Sequence, residues 1–176
     1  MTRAMHLHEL LGGAASPPPA FNPALTGLAA DSRELRPGYA FVALAGASTH
    51  GLRHAAQAEA AGASAILFEP PAPEGLALPA NAIAVPGLRA RQGELADRFY
   101  GSPSRQAQVV GVTGTNGKTS TVQLLAQALH LSGATAGTIG TLGAGRHGAL
   151  VPGERTTPDV IAVHRLLAGM RDQGAS

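Results

Sequence analysis

Short apolar runs alternate with helical patterns over the first hundred residues of this chain. Leu7, Leu10 and Leu11 recur at helical spacing and predict a short first helix over residues 5–11, followed by a loop rich in Gly, Pro and Ala. Strands are predicted over residues 39–45, 65–68 and 82–85, and helices over residues 54–61 and 88–100. Because strand and helix alternate, and the run over 65–68 is as apolar as a buried parallel strand, we expect an α/β unit.

A second unit is expected after a break in the pattern at residues 101–104, so we place the domain boundary between residues 103 and 104. An apolar strand is predicted over 109–112, a helix over 118–130 and another strand over 135–141. This order is typical of a right-handed crossover between parallel strands.

The last helix is expected to begin at the Thr-Thr-Pro-Asp sequence of residues 156–159. Thr157 is predicted as its N-cap, Pro158 as its first helical residue and Asp159 as an acidic residue of the first turn. The predicted apolar stripe of this helix consists of Val160, Val163, Leu167 and Met170.

The composition narrows the classes of function. The 176 residues include 44% apolar residues, which is ample for a buried core, and the formal net charge is only +2. Four Phe, two Tyr and no Trp, without any run of basic residues, give no sign of a nucleic-acid surface. Cysteine is absent, and no stretch has the length of a membrane span or the apolar core of a secretion signal. We therefore expect a cytoplasmic protein without membrane insertion.

The most informative motif is a glycine-rich turn that reads Thr-Gly-Thr-Asn-Gly-Lys-Thr over residues 113–119. Such a turn presents backbone N–H groups to a polyphosphate, Lys118 neutralises the outer phosphates, and the Thr119 hydroxyl can ligate Mg²⁺. The usual pattern would place its first glycine at position 112, whereas this chain has glycine at 111 and 114. Since Lys118 is the only lysine of the chain, the motif predicts a variant phosphate-binding loop (P-loop) for a nucleotide.

The second unit is incomplete as a nucleotide-binding domain. Only about two strands are predicted after residue 105, where several parallel strands are needed. No acidic residue ends an apolar strand there as a second ligand for Mg²⁺. We therefore expect the chain to be part of a longer enzyme.

Three motifs together resemble the Mur ligases, the ATP-dependent amide ligases of peptidoglycan precursor synthesis. The first is the loop over 113–119. The second is Asp-Ser-Arg at residues 31–33, followed by the Pro-Gly pair at 37–38 and the apolar run at 41–44, which resembles the uridine-nucleotide domain of the family. The third, Thr-Thr-Pro-Asp at 156–159, is similar to the substrate-binding turn of the members that add the third residue of the peptide. This resemblance covers essentially the whole chain.

The resemblance implies a role for each matching residue. The ATP-binding residues would be Gly114, Thr115, Asn116, Gly117, Lys118, Thr119 and Ser120, with Lys118 and Thr119 acting in catalysis and Thr119 as a partial Mg²⁺ ligand. The UDP-sugar would be bound by Ser32, with Ala30 beside it, and by Ala47, Ser48 and Thr49. The muramoyl-peptide end would be held by Arg155, Thr156 and Thr157.

The implied architecture is a small N-terminal α/β domain for the substrate nucleotide, residues 1–103, followed by the start of a P-loop parallel-sheet ATPase domain, residues 104–176. The implied reaction joins an amino acid, with meso-diaminopimelate favoured over L-lysine, to UDP-MurNAc-L-Ala-D-Glu through an acyl phosphate. Contacts with other enzymes of cell-wall precursor synthesis are also implied. The family's modified lysine, acidic metal ligands and C-terminal domain match no part of this chain, so these residues alone are expected to be inactive.

Other interpretations of the same residues stay open at this point. Asp31, Ser32 and Arg33 could form a plain turn with a surface ion pair, and Thr157 could be only a helix cap. The histidines show no ligand spacing with a carboxylate, so we predict no metal site from them. Among whole-protein functions, the alternatives are the dipeptide-adding Mur ligase, a P-loop regulatory module, and a metabolite kinase with Arg165 and Arg171 in its lid.

Overall fold

The computed structural model describes residues 4–46, 49–152 and 158–175. Contacts within the chain divide it into two compact units, Met1–Phe99 and Tyr100–Ser176. The two units are described separately below. The functional domain boundary at residues 103 and 104 stays a prediction.

The first unit is built on a four-stranded parallel sheet. In chain order its elements are β1 (Met5–His6), α1 (Leu7–Leu11), β2 (Ala24–Leu25), β3 (Gly27–Ala29), β4 (Tyr39–Ala43), α2 (Ala55–Ala60), β5 (Ala65–Phe68), β6 (Ala82–Ala84) and α3 (Leu88–Tyr100). The sheet has the order β3-β4-β5-β6, and all its neighbours are parallel. The predicted α/β class and the three predicted strands are therefore confirmed.

Two features of this unit were not predicted from the sequence. The strands β1 and β2 form a two-stranded antiparallel ribbon that positions α1. The strand β3 is only three residues long and contains Gly27, which weakens the strand signal. In the structure the ring of Tyr39 in β4 lies against Gly27, where a Cβ atom would be 2.3 Å from the Tyr39 Cζ atom. A side chain at position 27 would therefore require the Tyr39 ring to move.

The core of the first unit covers both faces of the sheet. All four residues of β5 are buried, which is the pattern of a parallel strand covered on each side. One cluster joins Phe41, Ala43, Ile66 and Phe68 from the strands with Leu52, Ala55, Ala58 and Ala63 from the crossover between β4 and β5. The predicted helix over 88–100 is confirmed as α3, with Leu88, Leu95 and Phe99 buried as expected.

The second unit contains α4 (Lys118–Leu131), β7 (Gly137–Gly140), β8 (Gly143–Arg146), β9 (Ala149–Val151) and α5 (Val160–Asp172). The three strands form an antiparallel sheet in the order β7-β8-β9. The predicted helix after the glycine-rich turn is confirmed as α4. Within the described residues no helix is both long enough and apolar enough to cross a membrane.

The predicted strand over 109–112 and the crossover built on it are wrong for this structure. Residues 108–113 are irregular, and Val109 and Val110 are 57% and 64% exposed. A strand needs a neighbour that completes its hydrogen bonds, and β7 pairs instead with β8 across a tight turn. No strand in the described part of the chain lies beside residues 109–112.

The start of the last helix also differs from the prediction. Asp159, and not Thr157, is the N-cap of α5, since its carboxylate accepts a hydrogen bond from the Ala162 N–H at 2.9 Å. Pro158 therefore precedes the helix, and Thr157 lies outside the described residues. The buried residues of α5 are Ile161, Ala162, Ala168 and Met170, so only Met170 of the predicted stripe is buried.

Truncation of a core side chain tests this account of the first unit. Leu52 is fully buried in the cluster between β4 and α2, so Leu52→Ala should lower the free energy of unfolding by about 2–5 kcal/mol. Urea denaturation followed by circular dichroism measures this change. Leu78→Ala is the matched control, because Leu78 is 47% exposed and its loss should change the stability by less than about 0.5 kcal/mol. Equal losses for the two variants would contradict the assigned core.

Candidate functional site

The glycine-rich turn has the backbone shape of an anion-binding loop. Gly114 and Gly117 have φ of +142° and +77°, and Gly117 is the N-cap of α4. Residues that carry a side chain rarely adopt such φ values, so these two positions favour glycine. The turn therefore leads directly into the first turn of a helix of 14 residues.

The amide groups of this turn are available to a bound phosphate. Within the described residues, the amides of residues 114–117 take no part in backbone hydrogen bonds, and the first amide bonded back to the turn is that of Thr121, 2.9 Å from the Gly117 carbonyl. The unpaired amides at the start of a helix and its dipole both attract negative charge. This arrangement fits the polyphosphate of a nucleotide.

Lys118 is the first residue of α4 and directly follows the turn. Its Nζ donates hydrogen bonds to the Gly114 carbonyl and, at 3.3 Å, to the Thr115 carbonyl. Asn116 and Ser120 are exposed, while Thr119 is half-buried at the start of α4. The structure thus brings the predicted ATP-binding residues 114–120 together in one loop and one helical turn.

The fit to Mg²⁺ is partial. Thr119 supplies one hydroxyl oxygen, whereas Mg²⁺ takes six oxygen ligands in proteins and keeps several of them as water. No group of three or more His, Asp and Glu side chains suited to a metal ion occurs in the described residues. The described chain therefore offers Thr119 as a single candidate ligand, and phosphate oxygens and water would complete the coordination.

In the first unit, the Asp-Ser-Arg motif follows the carboxyl end of β3. The Asp31 carboxylate accepts hydrogen bonds from the Arg33 N–H at 3.0 Å and from its guanidinium at 2.9 and 2.6 Å. These contacts hold a 3₁₀ turn over Ser32–Glu34. The interpretation of the motif as a turn with an ion pair is therefore right for Asp31 and Arg33, but it does not account for Ser32.

Ser32 has a partner that the sequence did not suggest. Its Oγ donates a hydrogen bond of 2.9 Å to the Oε1 atom of Gln57 on α2, 25 residues away. Ser32 and the neighbouring Ala30 are half-buried, and Gln57 is exposed. Because the donated proton goes to Gln57, the Ser32 oxygen keeps its lone pairs for a ligand donor, while the Gln57 amide can donate. No local pattern could have identified Gln57, since only the parallel sheet brings α2 beside the end of β3.

The loop after β4 lies at the same edge of the sheet. The carboxyl ends of parallel strands meet at one edge, and ligands of α/β sheets bind there. The loop is narrow, since the Gly46 N–H donates to the Thr49 carbonyl and the Gly51 N–H to the Leu44 carbonyl, both at 2.7 Å. Thr49 is exposed, whereas Ala47 and Ser48 lie outside the described residues. The structure thus places Ala30, Ser32 and Thr49 along one edge.

The third predicted group consists of the residues assigned to the peptide end of the substrate. Arg155, Thr156 and Thr157 all lie outside the described residues. Their roles stay predictions.

Models of known protein families match both parts of the chain. A model of the Mur ligase family, catalytic domain, matches residues 24–100, and a model of the Mur ligase middle domain matches residues 112–176. The chain belongs to the Mur ligase family, whose members are ATP-dependent amide ligases.

Curated relatives are similar over nearly the whole chain. The UDP-N-acetylmuramoyl-L-alanyl-D-glutamate--2,6-diaminopimelate ligase of Xanthomonas campestris pv. campestris (strain 8004) is 62% identical over 99% of this chain and 35% of that protein. The protein of the same name from Xylella fastidiosa (strain 9a5c) is 55% identical over the same shares. The chain therefore spans 35% of the length of these relatives.

Solved structures give the same result for the fold. A structure of a UDP-N-acetylmuramoyl-L-alanyl-D-glutamate--2,6-diaminopimelate ligase matches with a TM-score of 0.72 and 30% identity, over 98% of this chain and 34% of that one. The D-alanyl-D-alanyl-adding ligase from Acinetobacter baumannii matches with a TM-score of 0.60 at 21% identity, over 95% of this chain and 34% of that one. The second match shows a shared fold only.

Replacing the single lysine tests the phosphate site. Lys118→Ala removes the charge placed in the turn, and we expect the affinity for ATP to fall by about 100-fold or more, since charged hydrogen bonds are worth about 1.5–3 kcal/mol each. Isothermal titration calorimetry measures the affinity, and circular dichroism checks that the exposed substitution leaves the fold intact. Arg146→Ala is the control, because Arg146 is an exposed cation of the same unit outside the turn. Unchanged ATP affinity in Lys118→Ala would refute the assignment.

Proposed function

We propose that this chain is the N-terminal part of a cytoplasmic, ATP-dependent ligase that joins meso-diaminopimelate to UDP-MurNAc-L-Ala-D-Glu in peptidoglycan synthesis. The observation that carries the proposal is the identity of 62% over 99% of the chain with a relative named for this reaction. The amino acid is chosen from the name of that relative, and L-lysine is the alternative. In this proposal the protein serves cell-wall biogenesis, and with it cell shape and division, alongside other enzymes of the pathway.

The ATP site of the proposal is the turn over residues 114–120. Its support is the pair of glycines at positive φ, the amides of residues 114–117, which make no backbone hydrogen bond within the described residues, and the contact of the Lys118 ammonium with the turn. The backbone amides orient the triphosphate, and Lys118 neutralises charge on the phosphate that is transferred. The Thr119 hydroxyl would hold Mg²⁺ in part, and the ion would supply charge neutralisation at the phosphate oxygens.

The uridine-nucleotide site of the proposal is the carboxyl edge of the parallel sheet. Ser32 is the most informative residue there, because its hydroxyl is directed by Gln57 and not by the turn in which it lies. Ala30, Thr49 and the undescribed Ala47 and Ser48 complete the proposed contacts. Arg155, Thr156 and Thr157 are proposed to hold the peptide end of the substrate.

The proposed chemistry is phosphoryl transfer followed by acyl transfer. A carboxylate oxygen of the substrate forms a bond to the γ-phosphorus, and the bond from that phosphorus to the bridging oxygen breaks, which releases ADP. The amine of the incoming amino acid then attacks the acyl carbon and loses a proton, and phosphate leaves with the bonding electron pair. Positioning and charge neutralisation are the contributions expected of the protein in such a transfer.

Removal of the Ser32 hydroxyl tests the proposed uridine-nucleotide site. Ser32→Ala removes the oxygen directed by Gln57, and we expect the dissociation constant for UDP-MurNAc-L-Ala-D-Glu to rise by about tenfold, the effect of one lost hydrogen bond of about 1.4 kcal/mol. Calorimetric titration of the substrate into each variant gives the constant. The ATP affinity should not change.

Ser64→Ala is the matched control for this experiment. Ser64 is a half-buried serine of the same unit, immediately before β5 and therefore at the opposite edge of the sheet, and its backbone N–H keeps its bond to the Tyr39 carbonyl in the variant. Substrate affinity in Ser64→Ala should equal that of the wild type. If Ser32→Ala also binds the substrate as tightly as the wild type, Ser32 is not part of the site.

A further inference from the structure

Two histidines of the second unit lie side by side, although they are 17 positions apart in the sequence. His130 belongs to the last turn of α4, and His147 lies in the turn between β8 and β9. Their ring centroids are 5.3 Å apart, with an angle of 46° between the ring planes. Both residues border one open cavity of about 160 Å³, together with residues 133–136 and Arg146. The fold of this unit therefore brings two imidazoles to the same cavity.

The ring nitrogens of this pair differ in their contacts from those of most other histidines in the chain. Four of the other five histidines hold a backbone carbonyl through a ring nitrogen, namely His6, His8, His50 and His164. Within the described residues, the rings of His130 and His147 make no hydrogen bond and contact only each other. Their nitrogens are therefore available to a ligand.

Backbone hydrogen bonds hold the chain at both histidines. The His147 N–H donates to the Ala136 carbonyl at 2.9 Å, which ties the turn between β8 and β9 to the segment before β7. The His130 carbonyl accepts a hydrogen bond from the Gly133 N–H at 3.0 Å, which closes the end of α4. The two side chains thus start from fixed positions, and a ligand that binds both of them has less conformational entropy to remove.

The separation of the two rings fits a single metal ion. Zn²⁺ binds an imidazole nitrogen at about 2.0–2.1 Å and favours a tetrahedron of ligands, so two imidazoles on one ion have centroids about 5 Å apart. The observed 5.3 Å agrees with this value. The carboxyl end of α4, where His130 lies, carries the negative end of the helix dipole, which also favours a cation. The cavity has room for the water molecules that would complete the coordination.

We propose that His130 and His147 form a binding site for a divalent transition-metal ion of the Zn²⁺ type, with water as the remaining ligands. The ion joins the end of α4 to the turn between β8 and β9. This inference does not rest on the proposed function, because His130 and Lys118 are at opposite ends of α4, about 18 Å apart along the helix axis. Arg146 borders the same cavity and is exposed, and its charge opposes a bound cation.

The first measurement is the affinity for Zn²⁺, determined by calorimetric titration of zinc chloride into the chain without nucleotide. His130→Ala and His147→Ala each remove one of the two protein ligands, and we expect either change to raise the dissociation constant by at least tenfold. Circular dichroism of the metal-free variants checks that the fold is intact. His54→Ala is the matched control, because His54 is an exposed histidine of the first unit, and its affinity for Zn²⁺ should equal that of the wild type.

The second measurement locates the ion by amide hydrogen exchange. The His147 amide, which donates to the Ala136 carbonyl, should exchange about tenfold more slowly when Zn²⁺ is added to the wild type, because the ion holds the turn in which this amide lies. The same addition should not slow this amide in His130→Ala. The amide of Ile66 in the first unit, bonded to the Asn81 carbonyl, should exchange at one rate with and without the ion.

The charge of Arg146 distinguishes a cation site from an anion site. Arg146→Ala removes a repulsive charge, so the dissociation constant for Zn²⁺ should fall by about twofold. Wild-type affinity for Zn²⁺ in His130→Ala, or no binding by the wild type itself, would overturn the inference. A titration with inorganic phosphate whose affinity falls in Arg146→Ala, with no binding of Zn²⁺, would show that the cavity holds anions, and it would overturn the inference as well.

Discussion

The parallel pairing of four short strands is the constraint on which the first unit depends. Parallel neighbours require a crossover between each pair, and the crossover from β4 to β5 supplies Leu52, Ala55 and Ala58 to the core. The same pairing brings the carboxyl ends of all four strands to one edge. Ser32, the loop after β4, Glu69 and Arg89 follow four different strands, and they become neighbours of this edge for that reason alone.

In the second unit, local geometry determines the form of the glycine-rich turn. The shape of the turn over 114–117 follows from two glycines at positive φ and from the start of α4, all within a few residues. Within the described chain, Leu124, Leu131 and Val110 of this unit are more than half exposed.

Polar side chains at the carboxyl edge of the first unit are paired before any ligand is considered. Asp31 and Arg33 neutralise each other within one turn, and Ser32 is directed by Gln57. The Arg89 guanidinium donates a hydrogen bond to the Ala45 carbonyl, and the His50 Nε2 lies 3.0 Å from the Glu69 carbonyl. The polar side chains of this edge are thus ordered by contacts with other residues of the chain.

The sequence alone determined the α/β class, the helices α1, α2, α3 and α4, the strands β4, β5, β6 and β7, and the glycine-rich turn with its lysine. Each of these carries its signal within a short window, as periodicity, an apolar run or a residue that tolerates positive φ. Only the tertiary structure decided the brief strand β3, the antiparallel β7-β8-β9 sheet, the Asp159 cap in place of Thr157, and the irregular form of residues 109–112. It also decided the pairs Ser32 with Gln57 and Arg89 with Ala45, because these join residues 25 and 44 positions apart. A strand exists only where a neighbour completes its hydrogen bonds, and a long-range side-chain pair exists only where the sheet brings its two ends together, so neither can be read from a local pattern.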